Sequence, residues 1–136
     1  MPQRDAPFWR WDAVDIARAI RLGAVSAREV AEDVLARLAA ANPAINAVVL
    51  PLEREALDAA DAVDAARARG EALPPLAGVP VTTKINADQR GLPTSNGVVA
   101  FRDLIAAEDS PVVANLRRAG AVVIGRTNTP AFSWRW

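Results

Sequence analysis

The sequence predicts an α/β fold whose first half is helical and whose second half begins a parallel β-sheet. The Pro-Pro pair in "EALPPLAGVP" marks the change, because apolar residues have helical spacing before it and alternate after it. Two strand-like segments, 79–84 and 121–125, then enclose a helix-like segment. A strand, a crossover helix and a strand form a βαβ unit, which implies a parallel sheet covered by helices. We therefore expect an N-terminal helical region over 1–71 and the start of an α/β core over 72–136.

The first two predicted helices have recognisable ends. Asp12 is the expected N-cap of the first helix, and Gly23 is its C-terminal stop. Ser26 and Glu29 have the S-x-x-E spacing of a capping box and begin the second helix. We expect Asn42 and Pro43 to end that helix, because proline has no N–H and clashes with the preceding turn. The apolar residues expected to form the buried faces are Val14, Ile16, Ala17, Ile20, Val30, Val34, Leu35 and Leu38.

The third predicted helix is rich in alanine. It runs from Leu52 to Arg69, and Gly70 is its C-terminal stop. Its apolar stripe consists mostly of small side chains, which favours close packing against a neighbouring element. The stripe comprises Ala56, Leu57, Ala60 and Val63.

The βαβ unit follows the Pro-Pro pair. Residues 79–84 alternate in polarity, and the early proline is compatible with the beginning of a strand. A loop is expected over 85–109, and Ser110 with the proline after it begins the crossover helix. The segment "AVVIG", 121–125, is typical of a short buried strand. Ligands bind at the carboxyl ends of such strands, so Lys84 and the "RTNTP" segment should meet there. The helix should be lined by Val112, Val113 and Leu116.

Composition excludes several classes of function. Sixteen basic and sixteen acidic residues cancel, so no basic excess favours binding to nucleic acid. No apolar run reaches the ~18 residues that a membrane span requires. The first residues lack the apolar stretch of a secretory signal, and we expect a cytoplasmic protein. With no histidine and no cysteine, this chain contains neither a Ser-His-Asp triad nor a thiol nucleophile or thiolate metal site. It also lacks the glycine-rich phosphate-binding motifs.

Lys84 is the only lysine among the sixteen basic residues, which suggests a position where arginine does not suffice. An amine can act as a base once burial lowers its pKa from the ordinary value of about 10.4, whereas a guanidinium cannot. The alternative is a residue at a strand end that extends its amine into water, and composition alone favours this alternative. Nearby hydroxyls and carboxylates are typical of strands, turns and solvated surface. They belong to Thr82, Thr83, Thr94, Ser95, Asp88, Asp103, Glu108 and Asp109.

Three motifs occur in a fixed order over about 72–132. "GVPVTTK" fits G-[VI]-P-x-x-x-K, and "GLPTS" fits G-x-x-T-[ST]. "LRRAGAVVIGRTN" fits L-R-x-A-G-A-x-[VI]-[IL]-G-[KR]-T-N. In these motifs the chain resembles the N-terminal part of the amidase signature family. The resemblance implies an α/β/α fold around a mixed sheet, with only the N-terminal helices and the first βαβ unit present in this chain.

The resemblance also implies a function. Members hydrolyse a carboxylic amide C–N bond with a Ser-cisSer-Lys triad, in which Lys84 would be the base, and no metal or cofactor is implied. Both family serines lie further downstream than this sequence extends, so we expect the N-terminal part of a longer amidase that is inactive alone. The expected partners are a small-molecule amide and a second copy or complementing chain. Ile85 and Ala131 stand where the family often has Asp and Glu, which leaves the substrate open.

Two other functions stay open from the sequence. One is a noncatalytic interaction module, or a degenerate remnant, that would bind a partner through its tryptophan-bearing ends. The other is an amidotransferase A-type subunit that passes ammonia to partner chains.

Overall fold

The computed structural model describes residues 6–134 and contains four α-helices and three strands. The helices are α1 (Ala13–Arg21), α2 (Ala27–Ile45), α3 (Glu53–Ala68) and α4 (Pro111–Arg118). The strands are β1 (Val48–Pro51), β2 (Pro80–Lys84) and β3 (Val122–Thr127). The predicted helices and the predicted βαβ unit are therefore confirmed, with β3 extending two residues beyond the expected end. Within the described residues, no helix is both long and apolar enough to span a bilayer.

The sheet is mixed, and β3 is its central strand. The strand order is β1-β3-β2, with β2 parallel and β1 antiparallel to β3. The resemblance implied a mixed sheet, whereas the residue patterns predicted only the parallel pair and missed β1. The side chain of Asn42, near the end of α2, holds the first residue of β1. This side-chain amide donates to the Val48 carbonyl at 2.8 Å and accepts from the Val48 nitrogen at 2.9 Å.

The prediction that Asn42 and Pro43 end α2 is wrong. The helix continues to Ile45, with Pro43 exposed in its last turn. Only two helical residues follow Pro43, so the missing hydrogen bond and the clash with the preceding turn disturb only the last turn of the helix. The stop is Asn46, which adopts a left-handed conformation with φ of 47° and donates its N–H to the Asn42 carbonyl at 2.7 Å. Asparagine is one of the few residues that adopt this conformation readily.

Two valines predicted to be buried are exposed. Val14 is 78% exposed and Val112 is 64% exposed, whereas their neighbours Ile16 and Val113 are buried. At 3.6 residues per turn, Val14 lies about 200° from Ile16 around the helix axis, and Val112 lies about 100° from Val113. Both valines therefore project away from the buried face of their helix.

Helices α1 to α3 pack against β2 and β3 around one hydrophobic core. The alanine-rich stripe of α3 contributes Ala56 and Ala60, which allows the close packing expected from small side chains. The buried members of this core are Ile16, Ala17, Ile20, Ala27, Val30, Ala31, Ala56, Ala60, Val79, Val122 and Ile124.

The start of α2 is capped twice. The Ser26 hydroxyl accepts from the Glu29 nitrogen at 3.0 Å, and the Glu29 carboxylate accepts from the Ser26 nitrogen at 2.8 Å. This is the predicted capping box. In addition, the Asp64 carboxylate of α3 accepts from the Ala27 and Arg28 nitrogens at 2.9 and 3.0 Å. The second cap fixes the beginning of α2 against α3.

A bulge shifts the register between β2 and β3. Val81 pairs with Val123 and Thr82 pairs with Gly125, so Ile124 is the additional residue of β3. A Cβ at Gly125 would lie 2.6 Å from Val48 Cγ1. Glycine is therefore required where β1 crosses close to β3.

Candidate functional site

The carboxyl ends of β2 and β3 lie side by side. Lys84, the last residue of β2, pairs with Thr127, the last residue of β3. The Ile85 nitrogen donates to the Thr127 carbonyl at 2.9 Å, so the segments after both strands leave from the same edge. The expectation that Lys84 and the "RTNTP" segment meet is confirmed. This edge is where ligands bind in open α/β sheets.

The side chain of Lys84 is exposed on a well-fixed backbone. Its flanking residues, Thr83 and Ile85, are both buried, and its carbonyl accepts from the Ala87 nitrogen at 2.9 Å. The burial expected of a desolvated base is not supplied by residues 6–134. The amine is therefore free to meet a group that approaches the edge from outside this part of the chain.

A chain of polar side chains joins the two segments at this edge. The Asn86 side-chain amide donates to the Ser133 hydroxyl at 2.9 Å. That hydroxyl lies 2.8 Å from the Thr129 hydroxyl, and the Thr129 nitrogen donates to the Asn128 side-chain oxygen at 2.9 Å. Neither Asn86 nor Ser133 was predicted from the sequence as a site residue. Their positions shortly after predicted strand ends were the only available signal.

The threonine and serine hydroxyls considered in the sequence lie in the strand, loop and turn positions expected of structural residues. Thr83 is buried, and its hydroxyl donates to the side-chain oxygen of Gln89 at 3.0 Å. Thr94 is also buried, and within residues 6–134 its hydroxyl meets no hydrogen-bond partner. The Ser95 hydroxyl accepts from the Gly97 nitrogen at 3.4 Å, as expected of a turn residue. Thr82 is exposed on β2.

The acidic residues of the 85–109 loop do not form a paired site in the described structure. Asp109 accepts from the Arg90 nitrogen at 2.8 Å and lies 3.5 Å from the Arg117 guanidinium. Asp103 forms an exposed pair with Arg102. Among the described residues, no cluster of three or more acidic side chains could hold a metal ion. Asp88, Asp103 and Glu108 are exposed, as expected of surface acids, whereas the Asp109 side chain is only 17% exposed.

Arg126 is the feature that sequence reasoning missed. It lies in β3 with 0% of its surface exposed. Its guanidinium donates to the carbonyls of Ile85 at 3.2 Å, Ala87 at 2.6 Å and Pro93. Burial lowers the pKa of Arg126, and the negative charge of Asp88 opposes this effect. A charged residue within an otherwise apolar strand was the available signal.

Exposed apolar side chains lie next to the strand-end edge. Phe101 and Phe132 form an edge-to-face pair with ring centroids 5.9 Å apart. Trp134 is 84% exposed, so no described residue buries this tryptophan, and Trp136 lies outside the described residues. The large exposed apolar residues of this region are Val99, Phe101, Leu104, Ile105, Phe132 and Trp134.

Comparison with known proteins adds a family and close relatives. A family model described as Amidase matches residues 29–135. An indoleacetamide hydrolase of Bradyrhizobium diazoefficiens is 57% identical over 95% of this chain and 25% of its own length. The A-type subunit of a glutamyl-tRNA(Gln) amidotransferase from Acidothermus cellulolyticus is 43% identical over 91% of this chain and 25% of its own length. The chain thus spans about a quarter of the length of these curated relatives.

Solved structures give the same relationship. The crystal structure of a bacterial aryl acylamidase of the amidase signature family aligns with a TM-score of 0.85 and 28% identity. The alignment covers 90% of this chain and 26% of that one. The arrangement of α1 to α4 around β1, β2 and β3 is therefore the arrangement found in a quarter of that enzyme.

Proposed function

Since the chain belongs to the amidase family, we propose that it supplies the base, Lys84, of an enzyme that hydrolyses a carboxylic amide C–N bond. One observation carries the proposal. The single lysine beside fifteen arginines is the last residue of β2, at the carboxyl edge of the sheet, with an exposed side chain. A neutral amine can accept a proton at such an edge, whereas a guanidinium remains charged.

The proposed reaction follows the triad implied by the sequence resemblance. The neutral amine of Lys84 accepts a proton relayed by the cis-serine, while the nucleophilic serine attacks the amide carbonyl carbon. Backbone N–H groups stabilise the oxyanion. The tetrahedral intermediate then collapses and the C–N bond breaks. The leaving nitrogen takes the proton that Lys84 had accepted and departs as ammonia or an amine. Water then hydrolyses the acyl-enzyme to the carboxylate.

In this scheme the serines and the oxyanion hole belong to sequence other than residues 1–136. We therefore propose that these residues alone do not hydrolyse amides. Turnover by the isolated 136-residue chain, abolished by Lys84→Ala, would contradict this part of the proposal.

The relatives suggest which amide to test first. The indoleacetamide hydrolase is 57% identical to this chain, compared with 43% for the amidotransferase chain. We propose a primary amide of an arylacetic acid as substrate, with ammonia and the arylacetate as products. Indole-3-acetamide is the first probe.

The experiment uses the protein encoded by the complete open reading frame that contains this sequence. Ammonia release from indole-3-acetamide is measured for the wild type, Lys84→Ala and Arg90→Ala. Arg90 is an exposed cation six residues away and serves as the matched control. We expect Lys84→Ala to lower kcat by about 10²- to 10⁴-fold, the usual contribution of general acid–base catalysis. We expect Arg90→Ala to retain wild-type kcat, and an active Lys84→Ala variant would overturn the proposal.

Membership of an amidotransferase complex is the second candidate, supported by the 43% identity to one chain of such a complex. The two functions differ in their need for partner chains. A hydrolase releases ammonia when assayed alone, whereas an amidotransferase chain of this kind would do so only in complex with its partners. Assaying the complete protein alone and after purification with its native partners therefore separates them. A noncatalytic module would show no amide turnover in either preparation.

A further inference from the structure

The turn that follows Lys84 is held from inside the protein by one buried side chain. The turn is closed by the Ala87 nitrogen, which donates to the Lys84 carbonyl at 2.9 Å. Two carbonyls of the same turn, those of Ile85 and Ala87, accept from the Arg126 guanidinium at 3.2 and 2.6 Å. A third bond, to the Pro93 carbonyl, ties the turn to the loop beyond it.

The burial of Arg126 makes these bonds important. With 0% of its surface exposed, the side chain has given up its hydration, and among residues 6–134 it pairs with no carboxylate. A buried charge without a paired carboxylate is tolerated only when hydrogen bonds replace the lost water. The three carbonyls replace water at the two terminal nitrogens, whereas within residues 6–134 the buried Nε has no hydrogen-bond partner. The terminal nitrogens and the turn therefore stabilise each other.

Arg126 also lies next to Lys84 in the sheet. It pairs with Thr83 across the β2–β3 ladder, one position before the pair formed by Lys84 and Thr127. The strand therefore fixes the backbone of Arg126, and the guanidinium fixes the backbone on the far side of Lys84. The backbone of Lys84 is therefore fixed on one side by the β2–β3 ladder and on the other side by the turn.

We propose that Arg126 is the positioning residue for Lys84, because its hydrogen bonds hold the turn 84–87 that follows Lys84 at the sheet edge. The inference rests on the proposed function of Lys84 as the base. It assigns no contact between Arg126 and the substrate. Misplacing a catalytic group by about 1 Å can lower the rate about 10²-fold, so loosening the turn should act mainly on kcat.

The first test measures the turn directly, by amide hydrogen exchange on the complete protein. In Arg126→Met, a side chain of similar length leaves the three carbonyls without their donor. We expect the Ala87 N–H to exchange at least about tenfold faster than in the wild type. The Val122 N–H, which donates to the Val79 carbonyl at the start of the same ladder, should keep its wild-type exchange rate.

The second test is kinetic and includes a control for general destabilisation. Arg126→Met should lower kcat at least about tenfold with KM changed less than about threefold. Val30→Ala removes a fully buried side chain from the core contributed by α2, far from the turn in sequence, and should lower the melting temperature without lowering kcat. Arg126→Lys keeps a charge and three N–H donors, so it should restore part of both kcat and exchange protection. If Arg126→Met does not fold, Arg126→Lys carries both measurements.

The outcomes are decisive in each direction. Unchanged exchange at Ala87 in the variant overturns the proposal, as does wild-type kcat together with faster exchange. A kcat that falls equally in Val30→Ala reduces Arg126 to a purely structural residue and also overturns it. A wild-type protein that hydrolyses no amide defeats the proposed function, and the exchange measurement then still decides whether Arg126 holds the turn.

Discussion

Asn86 and Ser133 are joined by a hydrogen bond of 2.9 Å across 47 residues of sequence. The bond connects the segment after β2 to the segment after β3, at the edge that presents Lys84. Because the pair is exposed, we expect a double-mutant cycle of Asn86→Ala and Ser133→Ala to give a coupling of about 0.5 kcal/mol in unfolding free energy. Urea denaturation measures it, and additive effects of the two substitutions would show that the bond contributes nothing.

Lys84→Arg separates the charge of the residue from its ability to accept a proton. Arginine keeps the positive charge but cannot lose its proton near neutral pH. We expect Lys84→Arg to lower kcat for amide hydrolysis as severely as Lys84→Ala does, with an unchanged circular dichroism spectrum. Wild-type activity in the arginine variant would remove Lys84 from the mechanism.

Gly97 should be intolerant of any side chain. Its φ is +71°, and an added Cβ would lie 2.4 Å from the Thr129 carbonyl oxygen, which is backbone. Gly91 has a similar φ of +78° but nothing within 4 Å of an added Cβ. We therefore expect Gly97→Ala to lower the free energy of unfolding by about 1 to 3 kcal/mol more than Gly91→Ala. Equal losses in urea denaturation would mean that the backbone contact is not responsible.

Asp64→Ala should weaken the junction of α2 with α3. The substitution leaves the Ala27 and Arg28 nitrogens without the acceptor that now lies 2.9 and 3.0 Å away. Loss of an N-terminal cap typically costs about 1 to 2 kcal/mol of unfolding free energy. Asp58→Ala, on an exposed position of the same helix, is the control and should be near neutral. A similar loss in both variants would indicate an effect of α3 itself.

The capping box should make stability depend on pH. Hydrogen bonds from the Ser26 backbone and then from its hydroxyl lower the pKa of Glu29 below its ordinary 4.5. A lowered folded pKa contributes stability above 4.5 that is lost as pH falls through the folded value. The stability advantage of the wild type over Glu29→Gln should therefore shrink between about pH 7 and about pH 3 in urea denaturation. Ser26→Ala should lower the free energy of unfolding by about 1 kcal/mol at pH 7. If the stability difference between the wild type and Glu29→Gln did not change with pH, the capping box would not be the cause.

Elements with local signals could be predicted from the sequence, and one without them could not. Asp12 and Ser110 occupy the N-cap positions of α1 and α4, although neither side chain forms a cap hydrogen bond, and Gly70 follows α3 with a positive φ of 75°. These residue types mark helix ends within a few positions of the sequence. The strand β1 has four residues and ends in proline, and its partner β3 lies more than seventy residues later. No periodicity emerges from so short a segment, so its pairing is visible only in three dimensions.

The candidate site divides in the same way. Lys84 could be chosen as a candidate from the sequence, because it is the only lysine and lies at the end of a predicted strand. The role of Arg126 depends on carbonyls 33 to 41 residues away, and backbone carbonyls leave no mark on the sequence at their own positions. The hydrogen bond between Asn86 and Ser133 likewise joins residues 47 positions apart in the sequence, so neither residue signals it alone.

The central place of β3 governs when this part of the protein folds during synthesis. Among the strands of residues 6–134, β1 and β2 each pair with β3, and β3 is the last of the three to leave the ribosome. Until residues 122–127 emerge, the nascent chain holds helices but no strand pairing, and the apolar residues of β2 have no partner strand. Because the ladder joins strands that are far apart in sequence, we expect its formation to be slow. A ribosome stalled shortly before residue 122 should therefore carry a helical, sheet-free intermediate that chaperones recognise.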